Sequence, residues 1–310
     1  NVTPAGPVIV CEGSANIVST SDAATGNQWY KDGSPIGGET ATTLNITTNP
    51  ANSGNYTVIS TVSSCASAVS NAVAITINAL PLTTPVVTPA TPTICSGSTV
   101  TVNIAGSQAG INYELFDGVT SLSSPVAGTG GAINIISTPL TANTTITVRA
   151  TNPTTLCTVL LSGTSVVTVT PIPPAPNVTP AGPVIVCEGS ANIVLTSDAA
   201  TGNQWYKDGS PIGGETATTL NITTTPANSG SYAVISTVSS CSSAVSNAVA
   251  VTINALPLTT PVVAPATTTV CSGSTVTVNI AGSQAGINYE LFDGVTSLSS
   301  PVAGTGGAIN

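Results

Sequence analysis

Seven cysteines, at positions 11, 65, 95, 157, 187, 241 and 271, carry most of the available chemistry. Thiols at such spacings can form structural disulfides, stay reduced and buried, or hold a metal. No C-x-x-C spacing occurs, which counts against metal. Pairing within successive stretches of chain gives Cys11–Cys65, Cys95–Cys157 and Cys187–Cys241. That leaves Cys271, whose partner would lie 62 residues further on, past Asn310, so truncation is expected to leave it unpaired. Histidine is absent, which removes Ser-His-Asp and Cys-His catalysis and imidazole metal sites. The carboxylates Glu12, Asp22, Asp32, Glu39, Glu114 and Asp117 are scattered, with no D-x-D-x-D calcium loop. A glycosidase-type carboxylate pair would also need a concave cleft. Calcium between modules is the remaining metal use to weigh. Asp32-Gly33 and Asp117-Gly118 read as hairpin turns, where Gly supplies positive φ. Lys31 is a candidate for an isopeptide link to an Asn, although it stands beside a turn. Tyr30 and Tyr206 either stack on glycans or cover neighbouring side chains.

The elements that must position these residues follow from composition and pattern. Of 310 residues only 3 are Lys or Arg and 12 are Asp or Glu, a net charge of −9. So few cations cannot neutralise phosphates, which argues against a nucleic-acid partner. Mean hydropathy is +0.40, yet no stretch approaches the 18 or so apolar residues of a membrane helix. Short alternating runs such as Leu44/Ile46 and Val73/Ile75/Ile77 recur between Gly, Pro, Asn and Ser turns, and helix-length periodicity is missing. This pattern predicts an all-β sandwich fold.

The chain repeats itself. Residues 1–134 recur as 177–310 with nine differences, among them Ser19/Leu195, Ile75/Val251 and Thr88/Ala264. Within each repeat are two related modules. One carries Cys11-Glu12-Gly13-Ser14, Trp29-Tyr30-Lys31-Asp32-Gly33 and Cys65; the other carries Cys95-Ser96-Gly97-Ser98, Tyr113 to Gly118 and Cys157. Proline gathers between them, at Pro81 to Pro92 and Pro171 to Pro176, as in semi-rigid spacers. Four modules are expected, at 1–80, 81–176, 177–256 and 257–310, the last truncated and the whole a rod. Serine and threonine fill the solvent faces where charge would ordinarily guard sheet edges, which leaves lateral self-association open.

Trp29 before a Tyr-Lys-Asp-Gly turn, with Ser53-Gly54-Asn55-Tyr56-Thr57-Val58 downstream, resembles an immunoglobulin-like domain. The resemblance implies that Trp29 and Trp205 are core tryptophans, and that Tyr56 and Tyr232 are corner tyrosines. Where antibody domains have their second cysteine this chain has Val58, with Cys65 seven residues later, so a bridge should pin one end of the sandwich. The displaced pattern is similar to the Ig-like repeats of giant surface adhesins of the Bacteroidota, exported by type IX secretion and in some cases forming gliding filaments. That family implies an extracellular, cell-surface structural or adhesive role and brings no catalytic residue. The resulting expectation is a stalk or filament segment that mediates adhesion or surface motility through weak multivalent contacts. Its partners would be further copies of the repeat, with a surface glycan possible; no cofactor, enzyme activity or membrane insertion is expected. Glycan-binding modules, or spacers behind a catalytic domain elsewhere, are the alternatives.

Overall fold

The computed structural model describes residues 1–310, and they form an all-β chain of tandem immunoglobulin-like sandwiches. Two compact units are present, Asn1–Ile172 and Pro173–Asn310. The first unit begins with nine strands: β1 (Val2–Thr3), β2 (Val8–Cys11), β3 (Ile17–Ser21), β4 (Asn27–Lys31), β5 (Ser34–Pro35), β6 (Thr43–Ile46), β7 (Gly54–Val62), β8 (Cys65–Ala66) and β9 (Val73–Asn78). They form a sheet ordered β1-β3-β6 and a second ordered β2-β9-β7-β4-β5, with β8 folded back on β7. Period-two alternation makes the faces: β3 and β6 turn every second residue inward, and Leu44, Ile46, Val73 and Ile75 meet between the sheets around a fully buried Trp29.

The opening segment changes sheets. Val2 and Thr3 pair with β3, whereas Val8–Cys11 runs parallel to β9, with Val8 opposite Ile75 and Cys11 opposite Asn78. Pro4 and Pro7 lie between these two strands, where missing N–H groups would interrupt a continuous ladder. Sequence alternation did not reveal β1 and β2, because they are short and proline-flanked. At the β4–β5 turn Asp32 and Gly33 both take positive φ, 49° and 79°, the requirement of a two-residue hairpin matched to strand twist.

A second sandwich follows, from β10 (Val86–Thr88), β11 (Thr93–Cys95), β12 (Thr101–Ala105), β13 (Asn112–Asp117), β14 (Thr120–Ser121), β15 (Val126–Ala127), β16 (Ile133–Ile136), β17 (Thr144–Thr151) and β18 (Thr158–Thr170). Its sheets are β10-β12-β16 and β11-β18-β17-β13-β14, with β15 on β13, and β11 again runs parallel to the last strand. Tyr113 is fully buried here, and its hydroxyl accepts a hydrogen bond from the Gln108 N–H at 2.7 Å.

In the second unit the same two-sheet arrangement recurs over residues 178–254, with Trp205 and Leu195 fully buried. Beyond it, residues 262–303 carry only two- and three-residue strands. Val276 is 40% exposed there, while its counterpart Val100 is 5% exposed. Val276, Val278, Tyr289 and Leu291 line an open cleft of about 350 Å³. In the first unit β17 and β18 supply Ile146, Val148 and Leu161 to the same kind of core, and the 310 residues contain no second copy of those strands.

Candidate functional site

The cysteine geometry decides where the chain's distinctive chemistry lies. Cys11 ends β2 opposite Asn78, the last residue of β9. Cys65 sits in the β7–β8 hairpin, opposite Val62, at the far end of the nine-residue β7. Nine residues of strand span about 30 Å, whereas a disulfide needs Cα atoms about 4.4–6.8 Å apart. The second sandwich repeats the geometry: Cys95 lies opposite Thr170, and Cys157 precedes Thr158 at the other end of β18. The within-module pairs Cys11–Cys65 and Cys95–Cys157 therefore do not form.

The observed bridge joins Cys11 to Cys157, with Cα atoms 5.6 Å apart and 146 residues between them in sequence. Cys95 and Cys241 are also disulfide-bonded. Cys65, Cys187 and Cys271 are free and exposed. The expected disulfides at Cys65 and Cys187 are thus corrected, and with Cys187 free the pair Cys187–Cys241 is excluded. Cys271 is free, but it is one of three free thiols.

Cys157 reaches the first sandwich from the loop joining β17 to β18. Asn152 shapes that loop: its side-chain oxygen accepts from the N–H groups of Thr154 and Thr155, and its carbonyl accepts from Leu156. Leu156 takes a positive φ of 60°, and Cys157 is fully buried. The connecting chain is held from both sides. Glu12 of the first sandwich accepts from the Leu80 N–H at 3.4 Å, and Gln108 of the second accepts from the Leu82 N–H at 3.0 Å. Ser162 donates to the Thr83 carbonyl, and Pro81 and Pro85 are buried. A bridge closing 146 residues stabilises by about 5 kcal/mol in the chain-entropy account. The joint is therefore fixed covalently, by hydrogen bonds and by buried proline.

Other residues singled out in the sequence have plain structural partners. The Trp29 and Trp205 indoles donate to the carbonyls of Ala41 and Ala217, each at 2.9 Å. The Tyr56 and Tyr232 hydroxyls donate to the carbonyls of Asn52 and Asn228, each at 2.7 Å. Burial, and next the nearby Asp32 or Asp208 charge, raises both phenols above their ordinary pKa. Asp32 accepts from the Asn55 N–H, which occupies it in its turn; Asp117 stands exposed opposite Thr120. Lys31 donates to the Ala51 carbonyl, and Lys207 to that of Ala227. Tyr30 and Tyr206 are half-buried, opposite Pro35 and Pro211 in their hairpins. Sequence reasoning missed one cluster: Arg149 pairs with Glu114 at 3.1 Å and lies 3.9 Å from the Phe116 ring centroid, while Ser121 donates to Glu114. Their cross-strand register, Glu114 opposite Arg149, was the available signal. No group of three or more His, Cys, Asp or Glu side chains is arranged to hold a metal ion.

No family model matches the chain, and no curated protein matches it. Among solved structures, extracellular domains 3–5 of Drosophila OTK are 17% identical, with a TM-score of 0.31, over 80% of this chain and 94% of that one. The full ectodomain of mouse nectin-like molecule 4 is 14% identical, TM-score 0.31, over 81% of this chain and 98% of that one. Murine CEACAM1b is 14% identical, TM-score 0.29, over 55% of this chain and 98% of that one.

Proposed function

We propose that the chain is a repeat segment of an extracellular surface fibre or adhesin, acting as stalk or filament and contributing weak contacts that add by multivalency. The observation that carries this reading is the joint: Cys11–Cys157, the Glu12 and Gln108 clamps and two buried prolines fix one sandwich to the next. Rigid, covalently tied joints suit a part that spans distance. Near-identical copies support the same reading, since a stalk gains from copy number whereas an enzyme needs one site. Disulfides suit an oxidising, extracellular setting. The similarity to Bacteroidota adhesin repeats extends the proposal to type IX export and to surface adhesion or gliding.

Immobilised arrays of increasing copy number test it. Cell or surface adhesion should rise steeply with the number of repeats and be undetectable for one soluble copy of the first unit, residues 1–172. Tight glycan binding by that single unit, abolished by Tyr30→Ala, would replace the stalk with a ligand-binding module.

A further inference from the structure

The position of the bridge along the chain has a mechanical consequence, independent of what the segment binds. Cys11 stands near the beginning of the first unit and Cys157 near its end, so the S–S bond spans the joint and encloses 146 residues of separation. Nearly all of both sandwiches lies inside that loop: β3 to β9, then β10 to β17. Only the segments 1–11 and 157–172, 27 residues together, lie outside it.

We propose that Cys11–Cys157 is a load bypass, which carries tension across the first unit while strands β3 to β9 and β10 to β17 stay off the covalent path. Tension entering at Asn1 travels along β1 and β2 to Cys11, crosses the S–S bond to Cys157 and leaves along β18. It does not pass through Trp29, Tyr56, Tyr113 or the linker 79–85. A pair bonded at Cys11–Cys65 would have left the second sandwich and the linker on the load path. The observed pairing removes both, because it links one sandwich's base to its neighbour's last hairpin. Of the loaded strands, β2 stands at the edge of its sheet, beside β9, whereas β18 lies between β11 and β17, so tension reaching β18 acts on those two pairings and no further into the loop. Under tension the sandwiches hang beside the covalent path.

Single-molecule stretching of the full chain tests this, with peptide tags at Asn1 and inserted after Ile172. The 27 residues outside the loop reach about 95 Å when fully extended. The oxidised chain should therefore reach its covalent limit near 100 Å, with no step large enough to be an unfolding sandwich. Cys11→Ser should lengthen that limit by about 500 Å, the contour of the released residues, and reductant should do the same to the unmodified chain. The covalent limit does not depend on folding, so it remains readable even where the variant is unstable. Equal limits for both chains, or sandwich-sized steps in the oxidised one, would overturn the bypass.

Discussion

Ser19 and its counterpart Leu195 occupy the same register position, opposite Leu44 and Leu220, and both are fully buried. Leucine suits that place; the serine hydroxyl has no hydrogen-bond partner. Orphaned buried hydroxyls cost about 1–3 kcal/mol, and a buried leucine side chain gains about 2 kcal/mol. The first copy offsets part of this with Ile75, where the second has Val251. Ser19→Leu combined with Ile75→Val recreates the second copy's combination and should stabilise the first sandwich by about 2 kcal/mol in thermal or denaturant unfolding. A loss of stability would show that the two cores are packed differently. At this scale the sequence was partly legible. Trp29 and Tyr56 stand out by type and spacing, whereas a polar residue inside a core leaves no signal in one chain. The cysteines were misread for a related reason: spacing reports how far apart two residues lie along the chain, and not which end of a sandwich each one occupies.

Elements with clear alternation, such as β3, β6 and β9, were legible because a buried face imposes period two. Strands β1, β2, β10 and β11 were not, since two to four residues beside prolines carry too few alternations. Yet β2 and β11 fix where Cys11 and Cys95 sit. The tyrosine corner also belongs to this scale, because Tyr56 ties the start of β7 to the turn at Asn52. Its pKa is raised in the folded chain, as is that of Tyr232, so the folded state holds both protons more tightly than the unfolded one. That contribution is complete below the unfolded pKa of about 10 and is lost as pH rises through the folded values. Unfolding free energy should therefore hold steady up to about pH 10 and then fall. The double variant Tyr56→Phe/Tyr232→Phe should start lower, by about 1 kcal/mol per hydrogen bond, with a shallower alkaline decline. An unchanged alkaline slope would show that the decline has another source.

For the whole molecule, repeats, proline joints and sandwich class could be read directly, because each leaves a periodic or compositional mark. Connectivity between modules could not. In the first unit the last hairpin of the second sandwich meets the base of the first, so the late Cys157 reaches the opening Cys11. That relation exists only once the fold has placed both strand ends. The most direct test is a disulfide map made without reduction. After free thiols are capped and the chain is denatured, trypsin can cut only at Lys31, Arg149 and Lys207. Fragment 1–31, which carries Cys11, should be recovered bonded through Cys157 to fragment 150–207, with capping groups on Cys65, Cys187 and Cys271. Recovery of 1–31 bonded to fragment 32–149 through Cys65, with a single capped thiol in the whole chain, would contradict the bridged joint and the account built on it.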